Sequence, residues 1–461
     1  MTVDVRIRNG RVHTPSGPLE ADILIAGERI QGLVTRDDDS RAAEEIDATG
    51  RDVLPGVVDL HAHSRTPGYT HKEDFLTLSR AGAAGGITCF VDMPNVEPPT
   101  DTVELLEEKR QMAQETSILD WGHFAAGTKP ETIPGLAAAG ATGYKIFQVS
   151  GAYPHDPRLA VNEDDKIYLC FEAIAATGLP CVVHPFNQRL FDLFAERAFA
   201  AGKPRNHVTF SEVYTQEVIW RSAVSALVEL QRETGVRLHV VHTHSAGVLE
   251  LVRRAKAEGR PVTAAVDPKY YHFGLKDLEA PQGERVCPAG FVTEDPERMA
   301  AIWRAFADGT LEIIDSDHAP HTLEEVRQAR EDAWNSALGC PQYDYLLSVI
   351  LTDVAQGKMD LRTAIRALSE NPARLIGYYP RKGALLPGSD ADLVIVDLER
   401  ELVASDEQAH SKVAWTPYDG WRLQGVPELT MLRGQVIARG RNVVGRPGYG
   451  RYLAGVPQRP A

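Results

Sequence analysis

The sequence predicts an α/β protein, a (β/α)8 TIM barrel with a small β-sandwich domain formed by the N- and C-terminal segments. Between residue 53 and about residue 380, short β-branched runs alternate with helix-like segments, as in βα units around a parallel sheet. Both ends of the chain instead show alternating strands broken by Gly and Asp turns. The length of 461 residues suits one large domain and a smaller one. The predicted divisions are 1–52 for the first part of the sandwich, 53–380 for the barrel, and 381–461 for its second part and a C-terminal tail.

The N-terminal segment contributes strands of the sandwich. VDVRIRNGRVHT (3–14) and ADILIAGERI (21–30) alternate apolar and polar residues and are interrupted by Asn-Gly and Gly. Such alternation is typical of strands with one buried face. The segment therefore predicts one half of a sandwich that the other end of the chain must complete.

The barrel is predicted from eight strand-like segments in chain order. Helical stretches such as KEDFLTLSRAGAAGG, ELVRRAKAEG and ERMAAIWRAFADG lie between them. Eight βα units over this length favour a closed barrel. A long loop, 267–292, follows the seventh strand, and such loops at the carboxyl face of a barrel usually serve function. The segments are 52–63, 87–94, 119–127, 142–148, 180–185, 237–245, 261–268 and 311–321.

The C-terminal segment returns to a strand pattern. ADLVIVDLE (391–399) and LTMLRGQVIARG (429–440) again alternate between Gly and Asp turns. We expect these strands to meet the N-terminal ones in a single sandwich.

The bulk composition limits the kinds of partner and metal site. A formal charge of −15 repels phosphate, so we expect neither nucleic-acid nor membrane binding. The N-terminus has no signal-peptide pattern and the chain has no long apolar run, which predicts a cytoplasmic protein. The five cysteines are widely spaced and form no CxxC pair, which argues against a disulfide framework and a thiolate zinc site. Any metal is then held by nitrogen and oxygen.

Polar side chains recur at the carboxyl ends of the predicted barrel strands, where barrel enzymes build their active sites. The first pair stands two residues apart, so both side chains point to one face of a strand. Taken singly, a histidine at a strand end is more often a structural hydrogen-bonding group than a metal ligand, and the lysine alone is explained by an ion pair. When so many buried polar groups converge, each needs a hydrogen-bond or metal partner, and a metal centre supplies one partner for all of them. These residues are His61, His63, Lys145, His184, His242 and Asp317.

The chain resembles the amidohydrolase superfamily, and within it the cyclic amidohydrolases: dihydroorotases, allantoinases, hydantoinases and dihydropyrimidinases. The resemblance runs nearly from end to end. It is carried by LPGVVDLHAHSRTPG, VDMPN, GYKIF, VHTHSAGVLELVRRAKAEG, ADGTLEIIDSDHAPHT, NPARLIG and the C-terminal segment SKVAWTPYDGWRLQGVPELTMLRG.

The resemblance implies two Zn²⁺ ions per chain, bridged by a carboxylated Lys145. By the same resemblance His61 and His63 bind one ion, His184 and His242 the other, and Asp317 contacts the first. Carboxylation turns an ammonium into an anion that two cations stabilise. The family also implies a small cyclic amide or ureide as substrate and a homo-oligomer, either a dimer or a tetramer.

The ligand set implies hydrolysis of a ring C–N bond. In this family a metal-bridging hydroxide attacks the amide carbon, and Asp317 is expected to act as general base and then as general acid toward the departing ring nitrogen. A role of Asp317 as a plain metal ligand is compatible with this. His318 alternates to the other face and receives no role.

Three further residues favour a dihydroorotase-like substrate. In the H-x-H-x-R-x-P-G pattern of that group the arginine binds the substrate carboxylate together with the asparagine of MPN and the second histidine of DHAPH. These positions are Arg65, Asn95 and His321 in this chain. An arginine fork suits a carboxylate. Singly, Arg65 is as well explained by a structural ion pair and Asn95 by a turn.

Other positions depart from the dihydroorotase pattern. VDPKYYHF (266–273) replaces a Pro-His-His segment, and VCPAGF (286–291) lacks the arginine of V-N-P-P-L-R. Cys287 and Phe291 predict a less polar pocket wall, which suits a hydantoinase, dihydropyrimidinase, allantoinase or cyclic imide hydrolase. His244 replaces a serine, HPFN lacks a glutamate after His184, and Ser150 stands where hydantoinases have a tyrosine.

Two other classes are disfavoured. Mononuclear deaminases of the superfamily lack the bridging lysine, whereas this chain has GYKIF. Noncatalytic assembly proteins of the same fold have lost metal ligands, whereas this chain retains all six.

Overall fold

The N-terminal strands come first in the chain. The computed structural model describes residues 2–150, 157–289 and 294–458. Its first strands are β1 (Thr2–Arg8), β2 (Arg11–Thr14), β3 (Gly17–Glu20), β4 (Asp22–Ala26), β5 (Arg29–Val34), β6 (Arg41–Asp47) and β7 (Asp52–Pro55).

A parallel barrel follows. Within the described residues its eight strands are hydrogen-bonded in sequence order, each parallel to the next. A parallel bridge between Ala62 and His318 joins the first strand to the chain just beyond the last. The predicted (β/α)8 barrel is therefore confirmed. Its strands are β8 (Val57–Ala62), β9 (Ile87–Asp92), β10 (Asp120–Ala126), β11 (Gly143–Phe147), β12 (Pro180–His184), β13 (Arg237–Val240), β14 (Val262–Val266) and β15 (Ile313–Ile314).

Helices fill the connections. Those that follow the barrel strands include α1 with its buried Phe75 and Leu78, and α7 with Ile219, Trp220 and Leu227. The helices are α1 (Phe75–Ala84), α2 (Val103–Thr116), α3 (Ile133–Ala138), α4 (Asp164–Thr177), α5 (Gln188–Ala200), α6 (His207–Tyr214), α7 (Glu217–Thr234), α8 (Ala246–Ala257), α9 (Lys269–His272), α10 (Leu275–Leu278), α11 (Pro296–Asp308), α12 (Leu323–Arg327), α13 (Ala329–Asp332), α14 (Leu346–Ala355), α15 (Leu361–Ile365) and α16 (Asn371–Leu375). Across the described ranges, no helix is both long and apolar enough to cross a bilayer.

The first predicted barrel strand, 52–63, is two strands in the structure. β7 pairs with a C-terminal strand and with β2, whereas β8 pairs with β9 in the barrel. The break falls at Gly56, where a Cβ would overlap the side chain of Thr88. The Thr88 side chain packs directly against the backbone here, so the crossing from sandwich to barrel favours glycine.

The sandwich joins both ends of the chain. Its C-terminal strands are β16 (Leu393–Val403), β17 (Arg422–Leu432), β18 (Gln435–Arg439) and β19 (Asn442–Val443). In the described part of the chain, one sheet has the order β5-β4-β1-β6 and the other β19-β18-β17-β16-β7-β2-β3. Residues from both ends, such as Ile7, Ile25, Leu393 and Met431, pack in one apolar cluster. The domain limits at 53 and 381 stay predictions.

The predicted loop 267–292 is partly helical. It contains α9, α10 and a 3-10 turn, Gly283–Val286, and residues 290–292 lie outside the described ranges. The loop follows β14 at the carboxyl face of the barrel, where the polar residues predicted from the sequence converge.

Candidate metal centre

The barrel strands bring the predicted histidines and Asp317 together. His61 and His63 lie at the end of β8, Lys145 lies in β11, His184 ends β12, His242 follows β13, and Asp317 follows β15. All six are buried. Arg65, His242 and Asp317 have positive φ angles of 59°, 57° and 43°. Non-glycine residues adopt this left-handed region at an energetic cost, and such positions cluster at functional sites.

The distances are those of one compact cluster. Nε2 of His63 lies 3.2 Å and Nε2 of His61 lies 3.4 Å from Oδ1 of Asp317. The ring of His242 lies 5.0 Å from that of His61 and 4.6 Å from that of His184, measured between centroids. Nitrogen and carboxylate atoms of His61, His63 and Asp317 all lie within 4.8 Å of one another.

Lys145 lies in β11, close enough to interact electrostatically with Asp317 and His61. Its Nζ is buried and has no hydrogen-bond partner among the described residues. Burial lowers the pKa of Lys145 to about 8, which increases the fraction of neutral amine. Burying an amine without a hydrogen-bond partner in a barrel interior costs free energy, unless another group binds to it.

The charge states of the cluster fit cation binding. Burial lowers the pKa of His63 to about 4 and that of His61 well below its usual range, so both imidazoles are neutral, as metal ligands must be. Burial alone would raise the pKa of Asp317, but the neighbouring Lys269 ammonium holds it well below its ordinary value. Imidazole nitrogens and one carboxylate therefore form a donor set that fits a metal cation.

The predicted anion-binding residues have protein partners. Arg65 is fully buried, and its Nε donates to the carbonyl of Pro320 at 3.1 Å. Its Nη2 lies 2.9 Å from Nε2 of His321, which in turn lies behind Arg65 with Nδ1 3.2 Å from Nζ of Lys72. Asn95 accepts a 2.8 Å hydrogen bond from Nδ1 of His63 and so helps to orient that imidazole. Arg65 and Asn95 line the cavity described next.

A cavity of about 380 Å³ opens above the cluster. Its floor includes His61, His63, His184, His242 and Asp317. One side is a set of aromatic rings in mutual contact, which we call the aromatic wall: the Phe210 and Trp334 rings lie 5.1 Å apart, and those of Phe186 and Tyr214 lie 5.0 Å apart. The aromatic wall consists of Phe186, Phe191, Phe210, Tyr214 and Trp334.

Sequence reasoning missed this wall. Phe191, Phe210 and Tyr214 come from α5 and α6, whose sequences show only ordinary helical periodicity. Lys269, also missed, lines the cavity and forms an ion pair with Asp317. In the sequence its segment, 266–273, shows only a departure from the dihydroorotase pattern.

The prediction that Cys287 lines the pocket is wrong for the described structure. Its Sγ lies 3.5 Å from Oγ of Ser211 and 3.6 Å from the carbonyl of His207, and the next residue, Pro288, reaches the cavity instead. Phe291 lies outside the described residues.

The other residues noted in the sequence lie around the cluster. His244 stacks on Tyr270 with ring centroids 4.6 Å apart, and Ser150 lines the cavity. His318 faces away from the centre: its Nδ1 accepts from the backbone of Gln342 at 3.0 Å, and its Nε2 lies 3.3 Å from Glu73.

Comparison with known proteins extends over almost the whole chain. An L-hydantoinase of Paenarthrobacter aurescens is 31% identical over 459 residues, covering 98% of each chain. An allantoinase of Streptomyces avermitilis is 32% identical over 453 residues, covering 94% of this chain and 95% of the relative. A dihydroorotase of Lactobacillus acidophilus is 31% identical over 436 residues, covering 94% and 98%.

Solved structures show the same architecture. The L-hydantoinase (dihydropyrimidinase) from Arthrobacter aurescens superposes with a TM-score of 0.92 at 30% identity, over 98% of this chain and 100% of the other. The dihydropyrimidinase from Brevibacillus agri NCHU1002 gives a TM-score of 0.88 at 26% identity, over 98% of both chains. The model of the amidohydrolase family matches residues 53–437. The chain therefore belongs to the amidohydrolase family.

Proposed function

We propose that the protein hydrolyses a C–N bond in the ring of a cyclic amide that carries an apolar substituent, as hydantoinases and dihydropyrimidinases do. The observation that carries this proposal is the position of the aromatic wall, which borders the same cavity as His61, His63, His184, His242 and Asp317. The relatives named hydantoinase, allantoinase and dihydroorotase support the reaction class.

The proposed cofactor is a pair of Zn²⁺ ions. His61, His63, His184, His242 and Asp317 would hold them, together with a carboxylated Lys145. When bound, two zinc ions activate water near neutral pH and polarise a carbonyl. The unpaired Nζ of Lys145 and the neutral imidazoles of His61 and His63 support this assignment.

Asp317 is the proposed proton carrier. Its ion pair with Lys269 keeps it ionised before the reaction, so it can accept a proton from the attacking water at a carboxylate oxygen. It then delivers that proton to the departing ring nitrogen. Asn95 holds the imidazole of His63 in place during this transfer.

The aromatic wall would bind the ring substituent. Aromatic surfaces favour apolar and aryl groups and exclude water from the reacting amide. An extended aromatic surface is poorly suited to a ring whose main feature is a carboxylate.

Dihydroorotate hydrolysis is the second candidate, because Arg65 and Asn95 line the cavity. In this reading Arg65 would bind the substrate carboxylate, with His321 holding the guanidinium from behind. A homo-oligomer, dimeric or tetrameric, and a cytoplasmic location stay predictions.

A ring-opening comparison separates the two candidates. Wild-type protein is assayed with 5-benzylhydantoin, dihydrouracil, allantoin, dihydroorotate and glutarimide. We expect 5-benzylhydantoin to be opened with the highest kcat/KM, and Trp334→Ala to lower that value. The control is Trp303→Ala, which should leave it unchanged because Trp303 packs against Tyr271 and Phe306. The second candidate would be established instead if the wild type preferred dihydroorotate and Arg65→Met weakened that activity. The expected loss in kcat/KM for dihydroorotate corresponds to about 2–5 kcal/mol.

A further inference from the structure

The end of β14 places two charged residues beside the candidate metal centre. None of the predicted ligands comes from this strand. Asp267 follows β14 directly and Lys269 begins α9, and both side chains are buried. β14 pairs in parallel with β13, which precedes His242, and with β15, which precedes Asp317. The two charged residues therefore lie between two predicted metal ligands.

Asp267 holds the imidazole of His242. Oδ2 of Asp267 lies 2.6 Å from Nδ1 of His242. An ionised carboxylate accepts hydrogen bonds and cannot donate them, so Nδ1 carries the proton and Nε2 keeps its lone pair. Nε2 is the nitrogen left for a cation.

The same distance argues against a zinc ion between these two atoms. Two ligand atoms of one tetrahedral zinc ion, at bond lengths near 2.0–2.1 Å, stand about 3.3 Å apart. The 2.6 Å separation is that of a charge-assisted hydrogen bond. Asp267 therefore acts on the ligand through Nδ1.

Lys269 holds the carboxylate of Asp317. Its Nζ contacts Oδ2 of Asp317, while Oδ1 of Asp317 faces His61 and His63. The same Nζ lies 3.9 Å from Oδ2 of Asp267. A continuous series of polar contacts thus runs from His242 through Asp267 and Lys269 to Asp317.

We propose that Asp267 and Lys269 are positioning residues of the metal centre. Asp267 fixes the tautomer and ring orientation of His242, and Lys269 fixes the carboxylate of Asp317. The end of strand β14 thereby connects the two halves of the ligand set. This inference rests on the proposed metal centre.

The test for Asp267 is zinc affinity. Metal-stripped wild type, Asp267→Ala and Asp267→Asn are titrated with Zn²⁺ in competition with a chromophoric chelator. We expect Asp267→Ala to weaken one of two sites by about 10–100-fold. Asp267→Asn should lose less, because its amide oxygen still accepts from Nδ1. The control is Asp52→Ala, which removes the carboxylate 2.5 Å from Nε2 of His13 in the sandwich and should leave zinc affinity unchanged.

The outcomes separate this inference from the proposed function. Wild type that binds no zinc overturns the proposed metal centre. Wild type that binds two ions, together with Asp267→Ala that binds both equally well, overturns the role of Asp267 alone. A larger loss of zinc in Asp267→Asn than in Asp267→Ala also contradicts it.

The test for Lys269 is a split between binding and turnover. We expect Lys269→Met to bind zinc in full while kcat falls more than tenfold at little change in KM. Lys269→Arg should restore part of kcat, because it keeps a cation next to Asp317. Unchanged kcat in Lys269→Met, or no recovery in Lys269→Arg, would overturn a positioning role.

Discussion

At the level of single residues, the amine of Lys145 is one of the buried polar groups of the site that the described structure leaves without a hydrogen bond. It lies inside a barrel with no hydrogen-bond partner among the described residues, and burial lowers its pKa to about 8. Both features agree with a lysine that is completed by carbon dioxide and cations. They do not agree with a lysine that is retained for a structural ion pair.

We expect Lys145→Ala to lose at least one zinc ion and nearly all activity. Short carboxylic acids such as propionate should restore part of both, because a carboxylate that enters the vacated space replaces the carbamate. Elemental analysis and kcat with and without the acid measure this. Lys166→Ala, which alters an exposed lysine paired with Glu163, serves as the control. Full activity of Lys145→Ala would show that the lysine is structural.

Asp317 leads to a second prediction. Asp317→Asn keeps the shape of the side chain but cannot carry the proton, so kcat should fall by about 10²–10⁴ with little change in KM. Steady-state kinetics on the best substrate measure both constants. The assigned role fails if KM rises greatly while kcat is preserved.

The residues that sequence reasoning found share one property. His61, His63 and Asp317 stand in short motifs at strand ends, where the fold class alone fixes their position. Lys269 begins α9 in the loop after β14, and Trp334 lies in a 3-10 turn after α13. Neither stands in such a motif, so nothing in the local sequence marks them as residues of the site.

At the level of elements, the C-terminal tail has a role that its sequence does not reveal. Residues 446–458 run along the end of the barrel opposite the metal centre. The backbone N–H of Leu453 donates to Trp121 at 2.7 Å, and that of Gln458 donates to Gly178 at 3.0 Å. The tail thus connects the segments that enter β10 and β12.

The barrel strands themselves were predicted in the correct order, since each is marked locally by β-branched residues.

Gly450 tests the importance of this tail. A Cβ at this position would overlap the carbonyl oxygen of Leu119, a backbone atom that cannot rotate away. We expect Gly450→Ala to lower the free energy of unfolding by about 1–3 kcal/mol, as overpacking does. Denaturant unfolding measures it. Gly32→Ala in β5, where the nearest heavy atom is 3.9 Å from the added carbon, is the control. Equal stability of the two variants would mean that the tail shifts to accommodate the added methyl group at little cost in free energy.

At the level of the whole molecule, a buried charge cluster joins the barrel to the sandwich. Nζ of Lys382 donates to Asp120 in β10 at 2.6 Å and to Asp392 at 2.7 Å. Arg433, in the turn after β17, contacts Asp120 and donates its backbone N–H to Asp392 at 2.8 Å. The strand patterns of the two chain ends predicted that they meet in one sandwich. The charge cluster could not be predicted from the sequence, because its partners lie as much as 313 positions apart.

Lys382 supplies the last prediction. Its side chain is 1% exposed, and Asp120 and Asp392 are nearly as deeply buried. Lys382→Met keeps the length of the side chain but removes the cation, so carboxylates of both domains stay buried with their charge poorly balanced. Breaking a buried pair in this way costs about 3–5 kcal/mol. We expect the midpoint of urea unfolding to fall accordingly, and Lys382→Met with Asp392→Asn to recover part of the loss because one buried charge is removed. Lys166→Met, at an exposed pair, should leave the midpoint unchanged. If Lys382→Met and Lys166→Met unfold at the same urea concentration, the cluster does not hold the two domains together.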